Sequence, residues 1–216
     1  GKTPPCAPRL VEAGIRRVVY GMMDPNPKVN GRGLEILASG GVEVVGPVME
    51  DRCRWENRGF IRRMTLGRPW VTLKGALSVD GTTCLENGKS KWITGPLARQ
   101  KAHLLRAEHD AILVGINTVI NDDPALNVRS VDGDSPKKVI LDGGLRVPLD
   151  AKALKDGERI VFTSTDAPKD RVEALRDMGV QVCPVPSQGG LLDLASVLSA
   201  LGGMGVNSLL VEGGPR

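Results

Sequence analysis

The chain has 216 residues and a mass of 23.0 kDa, enough for one large domain or two small ones without disulfide or metal staples. Its 29 Lys and Arg and 25 Asp and Glu are scattered, so the sequence has no polybasic arm for nucleic acid. Aromatic residues make up only 3%, too few for a surface that stacks single-stranded bases. No signal peptide and no apolar run near the roughly 20 residues of a membrane span are recognisable, so we expect a cytoplasmic protein.

The first third of the chain predicts helices that alternate with short strands. Apolar residues at helical spacing end at glycines, and short β-branched runs follow them. In chain order we predict a helix over 7–14, a strand over 17–22, a loop at the prolines of 24–27, a helix over 33–39, a strand over 42–45 and one long helix over 49–66. The domain boundary is placed at residues 67–69, because glycine and proline interrupt both kinds of element.

The remainder of the chain predicts a second unit of alternating strands and helices. We expect strands over 70–76, 111–114, 139–141, 160–163, 180–185 and 208–211, and helices over 96–106, 117–120, 169–178 and 191–201. Residues 78–91 are polar and glycine-rich, which predicts a loop or a hairpin. The alternation is typical of an α/β fold.

The four cysteines are widely spaced and form no C-x-x-C pair, which is typical of reduced thiols. Cys6 stands at the start of a predicted helix, where the helix N-terminus favours a thiolate that could bind zinc. A zinc site needs three or four ligands, and no other residue here has ligand spacing. From the residues alone, a buried and packed Cys6 is therefore the commoner interpretation.

Two charged residues interrupt apolar strands near their predicted carboxyl ends. Lys74 ends the run before Gly75, and Glu212 follows the run that ends at Val211. A buried charge needs a partner or a ligand, whereas an edge-strand Lys that faces water needs neither. Ligands of α/β sheets gather at the carboxyl ends of strands, so we predict that Lys74, Asp122 and Glu212 meet at the mouth of one cleft.

Three further segments allow a structural or a functional interpretation. The pair Asp122-Asp123 before Pro124 indicates either a solvated turn or an acid beside an anion pocket, and we predict that Arg106 and Arg129 converge on that pocket. Residues 88–94 form either a hairpin with one packed Trp or part of a pocket lined by Ser90 and Trp92. The turn after Glu212 either cradles a pyrophosphate with backbone amides or only reverses the chain.

Taken together, these segments resemble the bifunctional deaminase/reductase family of riboflavin biosynthesis. The resemblance covers nearly the whole chain, is weakest over 147–207, and rests on ten short motifs in the order of the family. They are GKTPPC (1–6), AGIRRV (13–18), DPNP (24–27), GRG (31–33), KGALSVDG (74–81), GKSKWIT (88–94), LLR (104–106), NTV (117–119), DDPAL (122–126) and VEGGP (211–215).

For residues 1–66, the resemblance implies the C-terminal part of a zinc deaminase domain with the cytidine-deaminase fold. In the family, a His-Ala-Glu motif and a Pro-Cys motif supply the other ligands and the catalytic Glu upstream of this segment. Only Cys6 matches a metal ligand here, so we expect this chain to bind zinc poorly and not to deaminate. Lys2, Thr3, Asp24 and Asn26 match positions around the deaminase substrate.

For residues 67–216, the resemblance implies a reductase with a mixed sheet like that of dihydrofolate reductase, lacking its C-terminal end. The implied reaction is the NADPH-dependent reduction of the ribosyl group of 5-amino-6-(5-phosphoribosylamino)uracil to ribityl. The residues that match substrate positions are Ser90, Arg106, Leu126, Arg129 and Glu212. Those that match NADPH positions are Ala76, Trp92, Thr118, Asp122, Gly143 and Gly214.

The resemblance also suggests roles within the reductase site. Lys74, Asp122 and Glu212 are the expected catalytic residues. Position 143 is Gly, so any side-chain hydrogen bond that the family makes there is lost, and Arg146 is the candidate partner of a 2′-phosphate.

Two other classes of function remain open at this point. The chain begins without Met and stops after a glycine turn, so we expect a fragment, and an inactive truncated α/β fragment is the first alternative. A nucleic-acid binder is suggested only by the pI of 9.0, and scattered charge argues against it. The family resemblance implies a phosphorylated pyrimidine substrate, homo-oligomers of the full-length protein, and no nucleic-acid or membrane partner.

Overall fold

The computed structural model describes residues 5–27, 29, 31–84 and 93–213. The chain divides into two compact units, Gly1–Gly67 and Arg68–Arg216. No helix in the described ranges is long and apolar enough to cross a membrane. Five predicted site residues lie outside the described residues: Lys2, Thr3, Ser90, Trp92 and Gly214.

The first unit is built from short helices around a two-stranded parallel sheet. Its elements are α1 (Cys6–Glu12), β1 (Arg17–Val19), α2 (Arg32–Ser39), β2 (Glu43–Val45), α3 (Glu50–Glu56) and α4 (Arg58–Leu66). The buried apolar cluster of its described part consists of Ala7, Leu37 and Val42, which join α1, α2 and the start of β2. This unit therefore buries little apolar surface for its length.

The single helix predicted over 49–66 is wrong, because α3 and α4 are separate helices that meet at Asn57. The side-chain amide of Asn57 donates a 2.9 Å hydrogen bond to the Cys53 carbonyl oxygen. Asn competes for backbone groups in this way and ends helices that apolar spacing alone would continue. Its backbone has left the helical region, with φ −97° and ψ 13°.

The second unit contains the other predicted elements and a few more. Its strands are β3 (Trp70–Lys74), β4 (Ala111–Gly115), β5 (Lys137–Leu141), β6 (Arg159–Ser164), β7 (Gln181–Val185), β8 (Ser187–Gln188), β9 (Leu191–Leu192) and β10 (Ser208–Glu212). Its helices are α5 (Pro96–Ala107), α6 (Ile116–Asp122), a 3-10 turn (Lys152–Leu154), α7 (Lys169–Asp177) and α8 (Leu194–Gly203). All six strands predicted for this unit are therefore confirmed.

Six of these strands form one sheet in the order β3-β10-β4-β5-β6-β7. Every pairing in this sheet is parallel over the described residues, so the expected mixed sheet is corrected to a parallel one. The last strand of the chain, β10, is inserted between the first two. This insertion brings the carboxyl ends of β3 and β10 together, although their sequences are far apart.

The sheet separates two apolar cores. One core joins alternate residues of the central strands to α6, α7 and the segment around Leu145 to Leu154, as in Ile112, Val114 and Leu210. The other joins the intervening residues, such as Leu113 and Phe162, to α8. Side chains of a strand point alternately to opposite faces, so burial on both sides accounts for the near-continuous apolar runs of β4, β5 and β6.

The predicted helix over 191–201 begins three residues later than expected. Asp193 caps α8, because its carboxylate accepts hydrogen bonds from the backbone amides of Ala195 at 3.3 Å and Ser196 at 2.9 Å. The residues before Asp193 form a small antiparallel hairpin, in which Ser187 pairs with Leu192 and Gln188 with Leu191. An Asp N-cap is a recognisable helix start, but it is easily overlooked next to the apolar Leu191 and Leu192.

Candidate functional site

Lys74 and Glu212 occupy the carboxyl ends of neighbouring strands. They are directly opposite each other in the β3–β10 register, and the Lys74 Nζ lies 3.7 Å from Glu212 Oε2. The Lys74 side chain is 28% exposed and that of Glu212 only 11%, so the carboxylate lies deeper than the amine. Of the three residues predicted to meet, these two are brought together.

Arg106 of α5 holds the same carboxylate with a planar, two-point contact. Its Nε donates to Glu212 Oε1 and its Nη2 donates to Glu212 Oε2, both at 2.9 Å. Burial raises the pKa of Glu212, but the Arg106 hydrogen bonds and the charges of Arg106 and Lys74 outweigh burial and leave it below its ordinary value. Glu212 is therefore an ionised, oriented carboxylate near neutral pH.

Asn127 connects the two arginines that were predicted to share an anion pocket. The Arg106 Nη1 donates to the Asn127 carbonyl oxygen at 3.2 Å, and the Arg129 Nη1 donates to the Asn127 side-chain oxygen at 3.1 Å. Both guanidinium groups thus form a hydrogen bond with Asn127, although a strand, a helix and a loop separate the two arginines in the sequence. The two arginines differ in their surroundings. Arg129 is exposed to solvent, whereas Arg106 is largely buried and forms an ion pair with Glu212.

The loop that carries Asn127 has an unusual backbone. Leu126 adopts φ 54°, a left-handed conformation that a branched side chain rarely takes, and Asp123 adopts φ 41°. The Leu126 side chain is only 1% exposed and belongs to the apolar core. The predicted substrate residue Leu126 therefore packs its side chain into the apolar core of the second unit.

His103 is a buried member of this cluster that the sequence analysis did not single out. It lies on α5 one turn before Arg106, it is 6% exposed, and its Nδ1 has no hydrogen-bond partner among the described residues. Burial lowers the pKa of His103, the positive charges of Arg106 and Arg129 lower it further, and a hydrogen bond with the Asn127 backbone opposes both. His103 and Arg106 are one helical turn apart, and this spacing could have indicated from the sequence that both side chains face the same site. The same spacing is also typical of an ordinary buried position on a helix.

We use the term charged cluster for Lys74, Arg106, Glu212, Asn127, Arg129 and His103. A second feature, the strand-end cleft, opens beside it. This cleft encloses about 700 Å³ and is lined from the ends of β10, β4 and β5 and from the β8–β9 hairpin. Its lining residues are Gly115, Ile116, Asn117, Thr118, Leu141, Gly143, Gly144, Arg146, Gly190, Leu191, Leu192, Leu194 and Gly213.

Two predicted cofactor residues, Thr118 and Gly143, line this cleft, as does the candidate Arg146. Arg146 donates a 3.0 Å hydrogen bond to the side-chain oxygen of Asn117. The Gly143 carbonyl accepts hydrogen bonds from Thr163 Oγ1 at 3.0 Å and from the Ser164 amide at 3.1 Å. These bonds fix the backbone at the end of β5, where Gly143 lines the cleft.

Asp122 and Ala76 lie elsewhere among the described residues. Asp122 is exposed at the end of α6, and no described hydrogen bond or ion pair joins it to Lys74 or Glu212. Its neighbour Asp123 accepts a hydrogen bond from the Lys152 amide at 2.8 Å and pairs with the Lys152 amine at 3.0 Å. Ala76 is half-buried after β3 and is not among the described residues that line the cleft.

The first unit offers no comparable site in its described part. Cys6 is exposed, so the packed-cysteine interpretation is wrong, and no group of three His, Cys, Asp or Glu residues able to hold a metal occurs among the described residues. Asp24 accepts a 2.8 Å hydrogen bond from the Asn26 amide, which makes a local Asx turn. This chain's described residues therefore do not fit a zinc ion.

Comparison with known proteins connects this geometry to a family. Residues 69–216 match the model of the RibD C-terminal domain. The chain is 42% identical over 217 residues to the riboflavin biosynthesis protein RibD of Aquifex aeolicus, covering all of this chain and 60% of that protein. It is 37% identical over 229 residues to RibD of Escherichia coli, covering 61% of that protein.

Solved structures agree with these matches. Acinetobacter baumannii RibD, form 1, superposes with a TM-score of 0.86 at 40% identity over 99% of this chain and 59% of that one. A diaminohydroxyphosphoribosylaminopyrimidine deaminase/5-amino-6-(5-phosphoribosylamino)uracil reductase of Thermotoga maritima superposes with a TM-score of 0.83 at 38% identity over 99% of this chain and 58% of that one. The chain thus spans about three-fifths of the length of these relatives. It belongs to the RibD family, and residues 69–216 constitute its RibD C-terminal domain.

Proposed function

We propose that the second unit is the NADPH-dependent reductase of riboflavin biosynthesis, which reduces the ribosyl group of 5-amino-6-(5-phosphoribosylamino)uracil to ribityl. The observation that carries this proposal is a cleft of about 700 Å³ that opens beside an oriented Lys–Glu–Arg cluster at the carboxyl ends of a parallel sheet. Family membership supports the same reaction, since the Thermotoga maritima relative bears the name of that reductase.

The residues of the cleft fit a dinucleotide. Gly115, Gly143, Gly144 and Gly213 are among its lining residues, and strand ends without side chains allow a pyrophosphate to approach backbone amides. Arg146 provides a cation for the 2′-phosphate that distinguishes NADPH from NADH. NADPH, when bound, supplies the hydride. Thr118 and Asn117 would hold its polar atoms from the start of α6.

The charged cluster fits the sugar phosphate. Glu212 carries a full negative charge that Arg106 orients, so it can accept hydrogen bonds from ribose hydroxyls and stabilise a cationic, imine-like carbon. Lys74 can donate a proton to the ribose ring oxygen as the bond from that oxygen to C1′ breaks. Arg129 is exposed and lies beside Arg106 on Asn127, so it is the better-placed donor for the 5-phosphate.

The proposal is tested by titrating NADPH into the chain and following its fluorescence, and then by measuring NADPH oxidation with the phosphoribosylamino substrate. We expect saturable binding and substrate-dependent oxidation. Absence of NADPH binding by a folded protein would contradict the proposal and support the alternative of an inactive fragment. Circular dichroism before the titration separates an unfolded sample from a folded one that does not bind.

We also propose that the first unit is the C-terminal part of the zinc deaminase domain, with Cys6 as one zinc ligand of the longer protein. A single thiolate cannot hold zinc tightly, so no deamination step is assigned to the described residues. We expect less than stoichiometric zinc after dialysis, as measured by elemental analysis. Stoichiometric zinc retained by the 216-residue chain would contradict the one-ligand assignment.

A further inference from the structure

Asn127 lies between the two arginines of the charged cluster and accepts a hydrogen bond from each through a different oxygen. Its backbone carbonyl accepts from Arg106 Nη1 at 3.2 Å, and its side-chain oxygen accepts from Arg129 Nη1 at 3.1 Å. Arg106 in turn holds both carboxylate oxygens of Glu212 at 2.9 Å. A continuous set of hydrogen bonds therefore runs from the strand-end carboxylate to the exposed arginine.

The backbone around Asn127 is fixed on both sides. Before it, the Leu126 side chain is 1% exposed and lies in the apolar core. After it, the Val128 amide donates a 3.0 Å hydrogen bond to the Ser135 hydroxyl. The buried His103 forms a further hydrogen bond with the Asn127 backbone. Because these neighbours hold its main chain, Asn127 presents its side chain from a defined place, and only a residue held in this way can orient another.

Arg129 keeps its charge available, whereas Arg106 does not. The carboxylate of Glu212 offsets the charge of Arg106. Arg129 has the neutral side-chain oxygen of Asn127 as its hydrogen-bond partner, and no ion pair among the described residues includes it. A guanidinium group has several N–H donors, so one bond leaves most of them unused. Arg129 can therefore offer its charge and its remaining donors to an anion from solvent.

The chemical type of residue 127 determines whether this charge stays available. A carboxylate would hold Arg129 more strongly, but it would also offset the charge of Arg129 and repel a phosphate. An apolar side chain would leave the charge, but Arg129 would then lose its rotamer freedom only when the phosphate binds, which costs affinity. The neutral amide oxygen of Asn127 orients the guanidinium group and leaves its charge intact.

We propose that Asn127 is a positioning residue that orients Arg129 toward the 5-phosphate of the substrate. Through its carbonyl, Asn127 also connects this phosphate site to Arg106, and so to the carboxylate of Glu212. This inference rests on the proposed reductase function. Asn127 acts through Arg129 and is assigned no contact with the reacting carbon. It therefore contributes to the preference for a phosphorylated sugar and not to the binding of NADPH.

The test measures KM and kcat for NADPH oxidation with 5-amino-6-(5-phosphoribosylamino)uracil and with the same compound without its phosphate. Asn127→Ala should raise the KM for the phosphorylated compound by about tenfold, because Arg129 is no longer oriented before binding, and should change kcat much less. Asn127→Asp should raise this KM further, since its carboxylate offsets the charge of Arg129. Asn127→Ser keeps a neutral oxygen and should have a KM near that of the wild type. The KM for the unphosphorylated compound should stay the same in all three variants.

A double-mutant cycle separates positioning from direct contact. In the Arg129→Ala background, Asn127→Ala should raise the KM no further, because the residue through which it acts is gone. Asn57→Ala is the matched control, because the Asn57 side chain also forms a hydrogen bond, to the Cys53 carbonyl, but lies in the other unit. It should leave both KM values unchanged.

Three results would overturn the assignment of Asn127 and leave the proposed function intact. They are a wild-type KM for Asn127→Asp, an equal increase in KM for the phosphorylated and unphosphorylated compounds, and a full effect of Asn127→Ala in the Arg129→Ala background. Asn127→Asp has nearly the volume of the wild-type side chain, so it decides the question even where the alanine variant fails to fold. A folded wild type that neither binds NADPH nor oxidises it with the substrate would overturn the proposed function, and the assignment of Asn127 with it.

Discussion

The charged cluster and the strand-end cleft lie side by side, but they are built in opposite ways. In the cluster, Arg106 and Lys74 face the carboxylate of Glu212, and Asn127 satisfies both arginines. In the cleft, the lining is mostly glycine and apolar, and Arg146 has a hydrogen bond to Asn117 but no ion pair among the described residues. The cluster is organised before anything binds, whereas the cleft depends on a ligand to complete it.

This difference has a physical reason. Groups that must stabilise a developing charge work best when they are already oriented, because reorganisation during the reaction costs free energy. A groove for a cofactor that enters and leaves gains its free energy from contacts made only on binding. We therefore expect substitutions in the charged cluster to affect turnover and folding, and substitutions in the strand-end cleft to affect cofactor affinity.

The largest effect is expected from Glu212→Gln, which removes the charge that both Lys74 and Arg106 face. Leaving a buried partner without its counter-charge typically destabilises a fold by about 3–5 kcal/mol, and loss of the oriented carboxylate should lower kcat by about 10²–10⁴-fold. Urea unfolding and NADPH oxidation measure the two effects. Glu158→Gln, which removes an exposed ion pair with Lys137, is the control and should change neither by much.

A smaller overall effect is expected from Lys74→Ala, because turnover should decrease while the stability of the fold should not. Removing a general acid typically lowers kcat by about 10²–10⁴-fold, but Lys74 is more exposed than Glu212 and leaves no buried charge unpaired, since Arg106 still holds the carboxylate. NADPH affinity and unfolding midpoint should therefore stay near those of wild type. Normal turnover by this variant would exclude Lys74 from the reaction. Lys152→Ala, which removes an exposed pair with Asp123, is the matched lysine control.

Arg146→Ala tests the cleft side of the comparison. Loss of a charge-assisted hydrogen bond to a phosphate should weaken NADPH binding by about tenfold or more, without affecting NADH binding. Arg129→Ala should instead raise the KM for the phosphorylated substrate and leave the Kd for NADPH unchanged. Titration of both cofactors into the variant measures the two affinities. If Arg146→Ala weakened the binding of NADPH and of NADH equally, Arg146 would not be the partner of the 2′-phosphate.

The smallest effect is expected from His103, through its pH dependence. The pKa of His103 is lowered in the fold from an ordinary value of 6.5, so the unfolded chain takes up a proton before the folded one does. Stability should therefore decrease as the pH falls below about 6.5 and through the lowered pKa. His103→Gln should flatten this decrease in urea unfolding curves measured between pH 7 and 5.

Glu212 acts in a separate pH range, which keeps the two groups distinguishable. Its pKa is lowered from an ordinary value of 4.5, so its contribution to stability is fully present above that value and is lost as the pH falls through the lowered pKa. The Glu212→Gln variant should thus lose less stability than wild type on the acid side. A His103→Gln profile identical to that of wild type above pH 5 would exclude His103 as the titrating group.

Much of the second unit followed from sequence because its strands are buried on both faces. Ala111–Gly115 is largely apolar and Arg159–Ser164 contains the apolar run 160–162, and a short apolar run between turn residues is typical of a central strand in a parallel sheet. The expectations failed where a single polar group or a glycine turn controlled the backbone. Asn57 ended one helix, Asp193 delayed another, and Gly189-Gly190 formed a hairpin between residues that are not typical of strands.

The sequence by itself showed that Lys74 and Glu212 are charges at the ends of apolar strands. It therefore predicted that each has a partner or a ligand, because a buried charge without one is costly. It also identified the motifs that resemble the family. Only the tertiary structure decided that these two charges face each other, because β10 enters the sheet between β3 and β4. It likewise left Asp122 exposed at the end of α6, without a described hydrogen bond or ion pair to either charge. The side chain of Leu126, whose own backbone is left-handed, lies in the core, and sequence spacing does not reveal such a backbone conformation.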